Sequence, residues 1–205
     1  MSMLEDKSES SASALAVTTL SPTPGDSTTG AADHTEVLKR LFSGNVASFV
    51  FIRHSQTNSP DPADYNGSHI AADKARILTE AGEAAAKDKG TWFSGLDAPF
   101  AICSAAMRCQ KTCKVMSKGL DTEVIDDLYA VVKFHRCQGC LDRLGVDVQA
   151  KPLFTDEAAP KLFDDWANLV LGQIIEVVAE QKGLKNANVP IFGHAVYSAV
   201  LAHKV

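Results

Sequence analysis

Apolar residues in this chain come in two rhythms. Phe49-Val50-Phe51-Ile52, Phe100-Ala101-Ile102-Cys103, Glu123-Val124-Ile125 and Val189-Pro190-Ile191-Phe192 are short runs followed by polar or glycine residues. They predict four strands, with Pro190 tolerated near the start of the last. Between them apolar positions recur every three or four residues, as on one face of a helix. Asp33 is the expected N-cap of a first helix carrying Val37, Leu38, Leu41 and Phe42, stopped by Gly44 and Asn45. Thr79 is the expected N-cap of a second, through Ala81, Ala84 and Ala85 and on past Gly90 towards Trp92 and Phe93. Ser104 is expected to cap a third, from Ala105 to about Lys118, with Gly119 at C′. The clearest apolar stripe is Leu162, Phe163, Trp166, Leu169, Val170, Ile174, Val177 and Val178, closed by Gly183, and a last helix is expected from Ala195. Residues 58–77, with Asn58-Ser59-Pro60-Asp61-Pro62 and Asn66-Gly67, read as loop. The pattern breaks down between Tyr129 and Pro160. Strands alternating with helices predict an α/β domain with a parallel-dominated sheet and helices on both faces.

Composition narrows the class. The 205 residues are 45% hydrophobic and carry a formal net charge of −5, which suffices for one domain with a substantial core. Mild acidity argues against a general nucleic-acid binder, which needs a basic face. No run has the length to span a bilayer, and Glu5, Asp6 and Glu9 stand where a signal peptide would carry positive charge. The cytoplasm is therefore the expected location, with no membrane partner. Residues 1–33 are poor in large apolar side chains and are expected to form a disordered Ser/Thr/Pro-rich tail ahead of a domain at 34–205. Five cysteines without a secretion signal argue against a disulfide framework. Cys109, Cys113 and Met116 read as one buried helix face. His135, Cys137 and Cys140 make a single C-x-x-C with one histidine. A zinc site needs a second ligand pair, so no metal is expected.

Three predicted strands run into residues that can handle a phosphoryl group. Arg53-His54 follows the first strand, Arg108 lies just past the second and His194 follows the last, where ligands bind in open α/β sheets. Metal-free phosphoryl transfer needs a nucleophile and fixed cations on the phosphoryl oxygens. A neutral imidazole supplies the first, and neighbouring arginines disfavour its protonated form. Planar guanidinium forks supply the second.

These residues resemble those of the histidine phosphatase superfamily, the phosphoglycerate-mutase-like or RHG group, over roughly residues 46 to 203. Phe51-Ile52-Arg53-His54-Ser55-Gln56-Thr57 resembles its R-H-G-[EQ]-T motif, and Leu78-Thr79-Glu80-Ala81-Gly82 its L-T-x-x-G. Cys103 to Thr112 resembles S-S-P-x-x-R-x-x-Q-T, and Gly193-His194 its late G-H dipeptide. Each motif alone is common, but four in this order are specific. The resemblance implies His54 as the phosphorylated nucleophile, with Arg53, Arg108 and His194 around the phosphate and no cofactor.

The chain also departs from the family. Ser55 replaces a glycine and is expected to crowd the histidine, Ala105 replaces a proline, and Pro60 stands where an asparagine is usual. Many members carry a catalytic Glu in an L-x-E context. Here the text is Leu128-Tyr129-Ala130, similar to the Leu-Tyr of phosphohistidine phosphatases, which lack that Glu. Asp126 and Asp127 are near enough to act as the acid, Asp127 by preference. The chain stops soon after His194, where family domains generally continue. The expectation is a metal-independent phosphatase forming a phosphohistidine on a small phosphorylated metabolite or a phosphohistidine substrate. Its catalytic residues would be His54, His194 and Asp127. An impaired member serving as a phosphate-binding or scaffold module and a phosphoglycerate-type mutase are the alternatives.

Overall fold

The computed structural model describes residues 17–20, 35–129, 158–195, 198 and 201–202. Its strands are β1 (Val17–Leu20), β2 (Val46–Arg53), β3 (Ala101–Ser104), β4 (Thr122–Ile125) and β5 (Ala187–Gly193). Its helices are α1 (Thr35–Phe42), α2 (His69–Lys74), α3 (Glu80–Asp88), α4 (Gly90–Ser94), α5 (Met107–Ser117) and α6 (Ala158–Glu180), and a further helix opens at Ala195. Among the described residues the strands lie in the order β1-β2-β5-β3-β4. β2, β5, β3 and β4 pair in parallel, which the alternation of elements predicts, and β1 adds an antiparallel edge.

Successive side chains of a strand face opposite ways, and here both faces are covered. Phe49, Phe51, Ile102, Val189 and Ile191 pack beneath Leu38 and Leu41 of α1 and the buried stripe of α6. Val50, Ile52, Ala101, Cys103 and Phe192 pack on the other face against Ala86, Phe93, Cys109, Cys113 and Met116 of α3, α4 and α5. Phe49, Ile52 and Phe192 are fully buried, each worth about 1.5–3 kcal/mol of transfer free energy. The stripe of α6 is Trp166, Val170, Ile174 and Val178 with Ala167, Leu171 and Ile175. Leu169, expected on it, is exposed.

Pro190 sits mid-strand in a central position, yet interrupts no described pairing. His54 N donates to Gly193 O and Ala187 N to Asn45 O, so odd-numbered residues of β5 turn their main-chain groups to β2. Pro190 therefore faces β3, where the ladder begins one residue later at Ile102 and Ile191.

Three expectations need correction. Val17–Leu20, read as disordered tail, forms β1, its register running Val17 opposite Ile52 to Leu20 opposite Phe49. The open edge of β2 offers main-chain partners to a short β-branched segment, which composition alone could not reveal. The stretch 58–77 is not plain loop. It holds a 3₁₀ turn (Pro62–Tyr65) and α2, capped by the Ser68 side chain accepting from Ala71 N. Finally, α5 starts at Met107 with Ala106 as N-cap, and Ser104 belongs to β3. Among the described residues no helix is long and apolar enough to cross a membrane.

Candidate functional site

The sheet order places the carboxyl ends of β2, β5 and β3 side by side, and the three groups of interest follow from it. Arg53 pairs opposite Gly193, and the His54 N–H donates to the Gly193 carbonyl at 3.0 Å. The rings of His54 and His194 consequently meet edge to face, with centroids 5.3 Å apart and planes at 67°. Arg108 enters from the first turn of α5, fully buried, with Nη2 3.4 Å from His194 Nδ1. The structure thus brings together His54, His194 and Arg108, and Arg53 and Arg76 lie close enough to act on both imidazoles electrostatically.

The state of His54 follows from its partners. Burial, followed by the positive charges of Arg108, Arg53 and Arg76, lowers its pKa to about 4, against the opposing effect of its Ser55 hydrogen bond. The ring is neutral near pH 7. Its Nδ1 lies 2.8 Å from the Ser55 carbonyl oxygen, which can only accept, so Nδ1 carries the proton. Nε2 is left with its lone pair. His194 is likewise pushed well below its usual value by burial, then by Arg108. Since a guanidinium only donates, His194 Nδ1 is an acceptor and its Nε2–H faces Ser104 Oγ at 3.4 Å. Among the described residues, the Arg53 side chain makes no hydrogen bond or ion pair.

Family-like positions around the site have mechanical roles. The Ser55 hydroxyl donates to Gly82 O at 2.7 Å, and Ser55 N donates to Thr112 Oγ1 at 3.0 Å. The serine is therefore spent on α3 and α5, and the crowding expected of it is not seen. Thr112 Oγ1 in turn donates to Arg108 O at 2.7 Å, so one threonine ties the histidine turn to the arginine's helix. Thr79 caps α3 as expected, accepting from Gly82 N. Asn58 accepts from Ile77 N at 2.8 Å, bracing residues 57–58 against 77–78.

Two residues here escaped the sequence reading. Asp73 of α2 accepts from Arg108 Nη2 through Oδ2 at 2.9 Å and from Nη1 through its main-chain oxygen at 2.8 Å. Tyr129, noted only as part of Leu-Tyr, donates its hydroxyl to Asp73 Oδ2, lies under the Arg108 guanidinium and has its ring 5.8 Å from that of His194. Burial would raise the pKa of Asp73, but Tyr129 and Arg108 outweigh it and hold the carboxylate below its usual range. The acid–base spacing of Asp73 and Arg76 was the available signal, but nothing local ties it to Arg108.

Asp127 stands differently. Its carboxylate accepts from Gln173 Nε2 of α6 at 2.9 Å, and its carbonyl from the Trp166 indole. The Gln173 amide thus holds this carboxylate from α6. Asp127 lines, with Lys74, Ala105, Ala106, Met107, Asp126 and Tyr129, a cavity of about 560 Å³. His135, Cys137 and Cys140 lie outside the described residues, and among those described no cluster of three or more His, Cys, Asp or Glu could hold a metal ion.

A parallel sheet that gathers two neutral imidazoles and two guanidinium groups at adjacent strand ends is the phosphoglycerate-mutase-like α/β architecture. Residues 49–129 match the family described as histidine phosphatase superfamily (branch 1). Among solved structures it is similar to phosphoglycerate mutase from Bacillus anthracis str. Sterne (18% identity, TM-score 0.50, covering 78% of this chain and 80% of that one). It is also similar to a protein named mycobacterial hydrolase 1 (17% identity, TM-score 0.50, 75% and 77%) and to a mycobacterial glucosyl-3-phosphoglycerate phosphatase (15%, TM-score 0.47, 75% and 76%). No curated protein sequence matches the chain.

Proposed function

We propose that the protein is a phosphatase that passes a phosphoryl group through His54 to water, acting on a small phosphorylated metabolite or a phosphohistidine. The observation that carries this reading is a neutral His54, whose Nε2 makes no hydrogen bond among the described residues, set among three arginines and His194. In the first step that lone pair attacks phosphorus. The bond from phosphorus to the leaving oxygen or nitrogen breaks, its electron pair departs with the leaving group, and that group takes a proton from solvent. Water then attacks the phosphorus, the N–P bond breaks, and its electrons return to Nε2 as phosphate leaves and the water's proton is released. The Arg108 and Arg53 guanidinium groups meet the charge on the phosphoryl oxygens. An arriving dianion also favours the protonated form of His194, which adds a donor as charge builds.

Labelling with a radiolabelled phosphoryl donor, quenched in alkaline detergent, tests the reading. It requires a phosphoenzyme that survives base, is lost in acid and is missing from His54→Ala. A labelled His54→Ala, or a label with ester stability, would overturn it. A panel of aryl, alkyl, sugar and histidine phosphates, run beside His54→Ala, then sorts the substrate class.

A further inference from the structure

Arginine can grip a partner with two different edges. Its end offers Nη1 and Nη2, and its side offers Nε and Nη2. In Arg108 the end is taken. Nη1 donates to the Asp73 main-chain oxygen at 2.8 Å and Nη2 to Asp73 Oδ2 at 2.9 Å. The side edge is only half taken: Nε is buried and has no hydrogen-bond partner, while Nη2 donates to His194 Nδ1 across 3.4 Å, a long contact that an anionic oxygen can displace. A buried donor without a partner is costly, so an unfilled Nε on the edge shared with Nη2 marks a place where an acceptor belongs.

We propose that Asp73 is a positioning residue of the phosphoryl site, holding Arg108 by its end so that the Nε–Nη2 edge is presented beside His194 to phosphoryl oxygens. This rests on the phosphatase reading above and adds a residue to it. Asp73 is suited to the task because both its carboxylate oxygens are engaged. Tyr129 Oη donates to Oδ2 at 2.5 Å, and Arg76 Nη1 lies 3.6 Å from Oδ1. Tyr129 also places its ring face 5.7 Å from the Arg108 guanidinium, so hydroxyl, carboxylate and guanidinium form one closed set. Ser68 caps the short helix that carries Asp73 and fixes its approach. A guanidinium released from this clamp keeps its charge and loses its aim.

The opposite role, in which the Asp73 carboxylate competes with phosphate for Arg108, predicts the reverse change in affinity. Orthovanadate titration by calorimetry separates the two without needing turnover. Wild type is expected to bind vanadate, Asp73→Asn about tenfold more weakly and Asp73→Ala more weakly still, the loss of one charge-assisted contact geometry. Tyr129→Phe is expected to weaken binding by a smaller factor and to add nothing in the Asp73→Ala background, since it acts through the same carboxylate. Asp73→Asn preserves shape and decides the matter if Asp73→Ala does not fold. Affinity in Asp73→Asn equal to or tighter than wild type overturns the proposal, whatever the melting temperature does. Wild type that binds no vanadate overturns the phosphatase reading and this inference together, which distinguishes that failure from the first.

Discussion

Gln56 presses its carbonyl onto Gly82. A Cβ added to Gly82 would come 2.1 Å from Gln56 O and 3.0 Å from Gln56 C, with no flexible side chain there to yield. The same carbonyl accepts from Thr79 N at 3.1 Å, so the first turn of α3 and the histidine turn are locked face to face. This gives the Leu-Thr-x-x-Gly spacing a mechanical meaning: the threonine caps, and three residues later the glycine makes room.

Gly82→Ala should therefore destabilise the protein despite alanine's better helix propensity. Forcing backbone apart costs about 1–3 kcal/mol, more than the 0.5–1 kcal/mol that alanine returns in a helix. Urea denaturation measures the difference. Because the displaced carbonyl lies two residues from His54, turnover should fall as well, and unchanged stability would sink the packing account.

Ser55→Gly, which restores the residue usual in the family, should cost stability without improving the site. It removes the 2.7 Å bond to Gly82 O and adds backbone freedom in the unfolded chain, together about 1–2 kcal/mol. Side-by-side chemical denaturation and kcat/KM on an aryl phosphate check this. A gain in activity of tenfold or more would mean that the serine does crowd the nucleophile.

The acid limb of kcat/KM should reflect His54 near pH 4, not near the model-imidazole value of about 6.5. The nucleophile is the neutral ring, so activity holds down through pH 6 and 5 and is lost as pH falls through the folded-state value. The stability sign agrees. With the folded pKa depressed, the unfolded chain binds more protons between about 4 and 6.5, and stability declines as pH drops through that window. A limb centred at pH 6–7 would show that the arginines and burial do not set the state of His54.

Asp127→Asn should lower turnover of an aryl phosphate less than about threefold, since such a leaving group departs without an acid. The Gln173 contact survives because asparagine Oδ1 still accepts, and melting temperature should move little. A tenfold loss confined to alkyl phosphates would return the acid role to Asp127.

Much of this was legible in the chain. The runs of β2, β3 and β5 mark parallel strands because central strands buried on both faces need apolar residues at consecutive positions, whereas the edge strand β4, exposed from Thr122 to Val124, carries only a short signal. Arg53, His54, Arg108 and His194 could be grouped because each follows a strand end, a position readable from order alone. Asp73 could not. It lies in a stretch dominated by turn signals, on a helix of six residues, and its partner Arg108 is distant in sequence. β1 was hidden for a related reason: Val17-Thr18-Thr19-Leu20 has no core of its own to pack and is specified by the edge of β2. Serine is a common cap, but Ser104 ends β3 and the helix begins only at Met107, after Ala106.

The antiparallel course of β1 sets its two ends towards opposite rims of the sheet. Val17 lies opposite Ile52, two residues from His54, whereas Leu20 lies opposite Phe49, towards the start of β2. Val17 therefore lies towards the rim that carries the two imidazoles and Leu20 towards the opposite rim. A fluorophore attached at position 17 would stand at the imidazole rim and report on substrate traffic, while one attached at position 20 would stand at the far rim.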